Sequence, residues 1–201
     1  MCGRYYVDDD TAKEIEKLVG QVDEKMRGTA VACKVEVTAK DIHPTETAPI
    51  LTSSGSGLEC RWQRWGFPGF QKGRVIFNAR SESAMEKPMF REAVLHRRAV
   101  IPAAWFYEWD RNKQKHTFYR KGGDFLFMAG CYRKYEDGDR FVILTTQANA
   151  SMEPVHDRMP LILEREEAVA WLLEDGAVGE LLHKSPPLLE RRTEYEQMSF
   201  F

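Results

Sequence analysis

Cysteine is scarce and dispersed in this chain. Cys2, Cys33, Cys60 and Cys131 are the four among 201 residues, and no two of them form a C-x-x-C pair. That spacing excludes a structural zinc site and a dense disulfide framework. In a reducing compartment all four stay thiols. No two histidines have metal-ligand spacing, and neither a metal nor a cofactor is expected. Long apolar runs are missing too. Nothing approaches membrane-spanning length, and the N-terminus lacks the basic-then-apolar pattern of a signal peptide. A cytoplasmic chain without membrane contact is expected. Repeats, low-complexity tracts and linkers are absent. A single domain over 1–201 follows, long enough to bury a sizeable core.

Net charge is also nearly lacking, at −2. Its distribution is uneven. From Arg61 to Arg98, nine basic side chains meet only Glu82, Glu86 and Glu92. Trp62, Trp65, Phe67, Phe70, Phe77 and Phe90 are interleaved with them. Cations that track phosphates and rings that stack on bases suit single-stranded nucleic acid. The alternative is a solvated basic face over an aromatic core.

The pattern of elements predicts an α+β fold. A strand at Gly3–Val7 leads to Asp8-Asp9-Asp10, which cap a helix over Thr11–Val19 that Gly20 ends. A loop is expected over 21–32. Strands are read at Cys33–Val37, Pro49–Thr52, Leu58–Trp65 and Val75–Phe77. Pro88 starts the regular part of a helix within Ser83–Leu95. Ala99–Trp109 reads as one buried strand, followed by strands at His116–Arg120, Phe125–Tyr132, Phe141–Thr146 and Leu161–Leu163. Helices at Glu164–Glu174 and Val178–His183 precede a charged tail. Many short strands with few helices point to a compact domain on an antiparallel, barrel-like β core.

The chemistry begins at the second residue. Initiator methionine is normally removed before a small residue, which would leave Cys2 at the N-terminus. Such a cysteine carries an amine and a thiol on adjacent carbons. The amine condenses with an aldehyde to an imine, and the thiol then closes a thiazolidine ring. The alternative is a small buried hydrophobe. Arg4, two residues on along a strand, projects to the same face as Cys2. Glu108 sits in Ala103-Ala104-Trp105-Phe106-Tyr107-Glu108-Trp109, otherwise built of apolar groups. It either points to solvent or is partly buried with a raised pKa, as a general acid or base. Asn78, after Val75-Ile76-Phe77, either makes a turn or donates to a ligand oxygen. His156, between Val155 and Asp157, either lies on the surface or moves a proton near neutral pH.

Six stretches occur in order: Cys2-Gly3-Arg4-Tyr5, Trp65-Gly66, Asn78-Ala79-Arg80-Ser81-Glu82, Lys87-Pro88-Met89-Phe90-Arg91, Phe106-Tyr107-Glu108-Trp109 and His156-Asp157-Arg158-Met159-Pro160. With them the chain resembles the SRAP family (SOS-response-associated peptidases, abasic-site-processing proteins) from Cys2 to about Leu173. The resemblance implies a β-barrel-like fold with a positive cleft for single-stranded DNA. It implies an exposed Cys2 that forms a thiazolidine cross-link with the opened aldehyde of an abasic site. Asn78, Glu108 and His156 match the family's other catalytic positions. Glu108 would assist ring opening, imine formation and reversal. His156 would handle protons on the sugar hydroxyl, and Asn78 would position Cys2 or the sugar. Arg4, Arg80 and Arg158 match phosphate contacts. Trp65, Trp109, Pro44 and Met89 match positions that stack on or wedge against nucleotides. Asp41-Ile42-His43-Pro44 departs from the family's Asn-x-x-Pro pattern. The implied partner is single-stranded DNA carrying abasic sites, met by a monomer.

Two other readings stay open. A thiol autopeptidase could use the α-amine of Cys2 as its base to remove Met1. A plain single-strand-binding module would bind without dependence on a lesion or on Cys2.

Overall fold

The computed structural model describes residues 2–27, 34–55, 57–71 and 73–193. Among them the elements run, in chain order, β1 (Tyr5–Val7), α1 (Asp9–Arg27), β2 (Lys40–Ile42), β3 (Thr47–Ser54), β4 (Gly57–Trp65), β5 (Phe67–Pro68), β6 (Val75–Ile76), β7 (Asn78–Arg80), α2 (Ser81–Ala84), α3 (Pro88–His96), β8 (Arg98–Ala103), β9 (Trp105–Trp109), β10 (Lys115–Tyr119), β11 (Leu126–Arg133), β12 (Arg140–Gln147), β13 (Arg158–Pro160), β14 (Ile162–Leu163), α4 (Arg165–Leu173), α5 (Val178–Leu182) and β15 (Glu190–Thr193). No helix among these residues is long and apolar enough to cross a membrane.

Five strands close into a ring. β4, β3, β8 and β11 pair antiparallel in that order, and β11 pairs antiparallel with β12. β12 then returns to β4 in parallel, through Arg140↔Arg64 and Phe141↔Trp65. Closure leaves the ring no open edge. The fold is therefore the expected α+β one with a barrel-like core, except that β4 and β7 both run parallel to β12. All six residues of β8 are buried. Gly130 marks where the walls come closest. A Cβ there would sit 2.5 Å from both Ile101 Cδ1 and Val142 O, so only glycine fits.

A second sheet, ordered β15-β10-β9-β1-β2, leans on the ring. Tyr5, Phe106 and Phe118 face one another across it and are wholly buried. Two helices cover the ring. α1 lays Ile15, Leu18, Val19 and Val22 inward, mainly against β4. On α4, Trp171 is fixed by its indole N–H, which donates to the carbonyls of Ala99 and Gly130 at 3.1 and 3.2 Å.

Four expectations need correction. Asp8 does cap the first helix, accepting the Thr11 N–H at 2.8 Å. The helix nevertheless runs through Gly20 to Arg27, because Val19 and Val22 continue its apolar stripe. One interior glycine costs only about 1 kcal/mol. Residues 28–33 of the expected loop lie outside the described residues. In the strand expected at Cys33–Val37, Cys33 is also outside them; Val35 and Val37 bury alternately but join no ladder. Ala99–Trp109 is two strands. The chain leaves the ring at Ala104 and enters the second sheet as β9. Finally, the charged tail contributes β15, which pairs antiparallel with β10.

Candidate functional site

The N-terminal segment enters the molecule between β7 and β9. Asn78, at the start of β7, donates from Nδ2 to the Cys2 carbonyl at 2.8 Å. Its Oδ1 is buried and accepts no hydrogen bond among the described residues. On the other side, the Tyr107 N–H donates to the Arg4 carbonyl at 3.0 Å. That contact extends the β1–β9 ladder toward the N-terminus. One step further along this register, Glu108 faces the Gly3–Cys2 end. The structure thus gathers Cys2, Asn78 and Glu108 from three distant stretches.

Cys2 is not the exposed nucleophile that the resemblance implies. It is wholly buried, and its Sγ donates to the Arg4 carbonyl at 3.8 Å. Burial first, and the negative charge of Glu108 second, push the thiol up to about 12. Cys2 and Arg4 both precede the strand, which begins at Tyr5; Cys2 is wholly buried and Arg4 half-buried. Glu108 is only 5 % exposed, which settles its two options in favour of burial.

His156 approaches from another side. It shares a cleft of about 810 Å³ with Trp109, Asp110, Glu153 and Asp157. Its Nδ1 lies 2.9 Å from the Arg158 N–H and 2.9 Å from Asp157 Oδ1. These two contacts need opposite protonation of Nδ1. The backbone N–H is a fixed donor, whereas the Asp157 side chain is 88 % exposed and free to turn. We therefore assign Nδ1 as acceptor, which places the proton of the neutral ring on Nε2.

The expected DNA contacts divide sharply. Arg80 is exposed on β7, with no ion-pair partner among the described residues. Met89 is partly buried at the start of α3. Both line a cleft of about 840 Å³ beside Asn78. Arg4 lies over the Trp109 ring at 5.0 Å and is 3.8 Å from the Asp41 carboxylate. Pro44 is half-buried in a turn that the Thr45 N–H pins to the Trp65 carbonyl at 2.8 Å. Arg158 is already engaged. It forks onto both oxygens of Glu82 at 2.7 and 2.8 Å and donates to the Thr145 carbonyl at 2.7 Å. Hydrogen bonding to Arg158 holds the Glu82 carboxyl below its usual range.

Trp65 must be corrected outright. Its ring is wholly buried among Tyr5, Phe77 and Phe141, and its indole N–H donates to the Phe77 carbonyl at 2.8 Å. No face is left for a base. Of the exposed rings, Trp62 at 49 % and Phe70 at 91 %, Phe70 stands between β5 and β6 and lines the cleft with Arg80 and Met89. A signal for it was present: an aromatic in a turn bounded by Pro68, Gly69 and Gly73 has no periodic partner to bury it. Lys87 and Arg133 line the same cleft. Much of the basic stretch is already neutralised by acidic partners. Arg61 pairs with Glu59, Arg64 with Asp137 and Arg97 with Glu92, while Arg98 is buried against Asp175.

Comparison with known proteins gives a consistent family. A family model described as SOS response associated peptidase (SRAP) matches residues 1–199. The abasic site processing protein YoqW of Bacillus subtilis (strain 168) is 34% identical over 146 residues, which are 66% of this chain and 65% of that protein. The abasic site processing protein YedK of Escherichia coli (strain K12) is 32% identical over 119 residues, 55% of this chain and 54% of that one. The match therefore spans less than two thirds of either relative's length. A crystal structure of a protein from Bordetella bronchiseptica superposes with a TM-score of 0.73, covering 96% of this chain and 100% of that one. At 24% identity it shows a shared fold.

Proposed function

Because the chain belongs to the SRAP family, we propose that it traps abasic sites in single-stranded DNA as a covalent adduct of Cys2. The observation that carries this reading is the Asn78–Cys2 hydrogen bond of 2.8 Å with Glu108 brought to the same residue. A cysteine placed only to fill the core needs neither a buried amide nor a buried carboxyl beside it.

The reaction runs on the opened sugar, whose C1′ is an aldehyde. With Met1 removed, the α-amine of Cys2 adds to C1′ to give a carbinolamine. Loss of water then leaves an imine, and Glu108 supplies the proton that the departing hydroxyl needs. Sγ adds to C1′, its proton passes to nitrogen, and the thiazolidine closes. A thiol pushed up to about 12 is a weak nucleophile in bulk solution. Here the attack is intramolecular, and ring closure gains from proximity what it lacks in thiolate. Reversal follows the same steps backward through Glu108.

Asn78 fixes the Cys2 carbonyl, and its Oδ1 is placed to accept from the amine or a sugar hydroxyl. His156 offers its Nε2 proton across the Trp109 cleft. The strand enters over the other cleft, where Arg80, Lys87 and Arg133 meet phosphates and Phe70 and Met89 meet bases. Arg4 and Trp109 act as one stacked unit at the far side.

Intact mass tests the reading. After incubation with an abasic single-stranded oligonucleotide, the Met1-free protein gains the mass of the oligonucleotide less one water. The adduct survives heat and detergent. Cys2→Ala gives none. Equal cross-linking by Cys2→Ala would overturn the proposal; binding without any adduct in the wild type would leave a binding module.

A further inference from the structure

The second sheet turns Tyr5, Phe106 and Phe118 into the core. The residues that alternate with them point to its other face. On β9 these are Trp105, Tyr107 and Trp109, a row of rings that begins at the Arg4–Trp109 pair. Tyr6, opposite Trp105 on β1, stacks on the indole at 4.1 Å with the planes 4° apart. The Trp105 indole N–H donates to the Tyr107 hydroxyl at 2.7 Å. Lys115 of β10 lies over the Tyr107 ring at 4.6 Å. Tyr107 is thereby covered, whereas Trp105 stays half-buried.

β9 lies between β1 and β10, so Tyr6 takes one side of the Trp105 ring. The other side borders a slot of about 330 Å³. Thr117 and Tyr119 of β10 and Arg192 of β15 line it, with Phe125. Thr117 is only 2 % exposed, and its hydroxyl has no hydrogen-bond partner among the described residues. A buried hydroxyl left unpaired costs stability, and a ligand that completes it gains accordingly. The charges around the slot nearly cancel, Arg120 and Arg192 standing against Asp8, Asp10 and Asp124. Most of them are engaged: Asp8 caps α1, Asp10 pairs with Lys13 at 2.7 Å, and Arg120 pairs with Glu164 at 2.7 Å. Such a slot suits a flat ring with polar edges better than it suits a phosphate.

We propose that this outer face carries the single strand onward from Trp109, and that the slot takes one unpaired base, stacked on Trp105 with its edge toward Thr117 Oγ1. The inference rests on the function proposed above, because the strand first passes Cys2. Trp105 and Trp109 lie four residues apart on β9, about 13 Å along an extended chain, which a short run of nucleotides bridges. Lys115, set opposite Trp109 and laid over Tyr107, puts a cation beside that run. Stacking supplies affinity that tolerates any sequence, and a threonine hydroxyl donates to or accepts from a base edge. The covalent chemistry stays at Cys2, and the sheet lengthens the grip.

Strands that carry a tetrahydrofuran in place of the abasic sugar have no aldehyde, so their affinity is read apart from the adduct. For each polarity, a strand that ends beside the lesion is compared with one that runs on by about eight nucleotides, within the range of single-strand sites. Trp105→Ala cancels about tenfold of the gain from extension on one side of the lesion, and Phe70→Ala cancels it on the other side. Trp105→Phe keeps most of the gain. Thr117→Val loosens the extended strand about threefold and leaves the short one unchanged. Equal losses on both sides overturn the inference. A loss on neither side also overturns it and leaves the slot to a free small molecule. A second measurement needs no variant. The adduct at Cys2 fixes the register, and bromouracil moved stepwise beyond the lesion labels Trp105 or Tyr119 on irradiation. Labelling of neither at any position overturns the inference. If the wild type forms no adduct, the covalent function falls, and the tetrahydrofuran strands alone decide whether the sheet holds DNA.

Discussion

The clefts at Asn78 and at Trp109 are nearly equal in size, about 840 and about 810 Å³, and opposite in character. The first is lined by Arg80, Lys87 and Arg133 without a carboxylate, and by Phe70, Pro88 and Met89. The second holds Asp110, Glu153 and Asp157 around a single arginine, with His156 among them. Positive charge and open apolar surface line one cleft, and carboxylates with an imidazole line the other. On the proposed function, grip and chemistry are therefore separable.

The contrast is sharpest at Glu108. Glu108→Gln should slow cross-linking by about 100-fold or more, the scale of a lost general acid. Binding of intact single strands should stay within about twofold. The same substitution removes one of the two causes that raise the Cys2 thiol, so alkylation of Cys2 at mildly alkaline pH should become faster. A loss of binding equal to the loss of cross-linking would erase the division between the clefts.

On the gripping side, Phe70→Ala should weaken single-strand affinity about tenfold, as one stacked base is lost. Its thermal midpoint should not move. Trp65→Ala should do the reverse, costing about 3–5 kcal/mol of stability, as truncation of a core aromatic does. Denaturant melts and binding isotherms of the two variants check both.

Smaller effects follow for the cations. Arg80→Ala and Lys87→Ala should each make the slope of log affinity against log salt shallower by about 0.7, one phosphate contact apiece. An unchanged slope for both would move the strand elsewhere. Smallest is the Glu82–Arg158 fork. Glu82→Gln releases Arg158 and should tighten binding about twofold. Acid should act likewise. The folded-state pKa of Glu82 lies below its unfolded value. The fork's contribution to stability is thus present above about pH 4.3 and is lost as pH falls through the folded value. Melting midpoints of wild type and Glu82→Gln should converge there.

Much of this was legible in the sequence, and the failures have physical causes. Glu108 stands out as a carboxyl in an apolar run and Cys2 by its place at the N-terminus, whereas Asn78 is singled out by the family resemblance. Burial in three dimensions does not stand out in this way. Trp65 and Phe70 have similar local surroundings, yet the first faces Tyr5 and Phe141 across the ring and the second faces nothing. Pairing is equally silent. Arg158 reads as a free cation until Glu82 is folded against it. Ala99–Trp109 looks continuous because both halves are apolar, and only the topology shows that they serve different sheets.

The contacts that assemble the site have one more consequence, which concerns time. Asn78–Cys2, Glu82–Arg158 and His116–Thr193 join residues 76, 76 and 77 apart. At ordinary rates of synthesis Thr193 leaves the ribosome about 10–40 s after Cys2. Until those stretches meet, Cys2 lacks the burial that pushes its thiol up, and is more reactive than in the finished fold. Folding therefore quiets the thiol as well as assembling its surroundings.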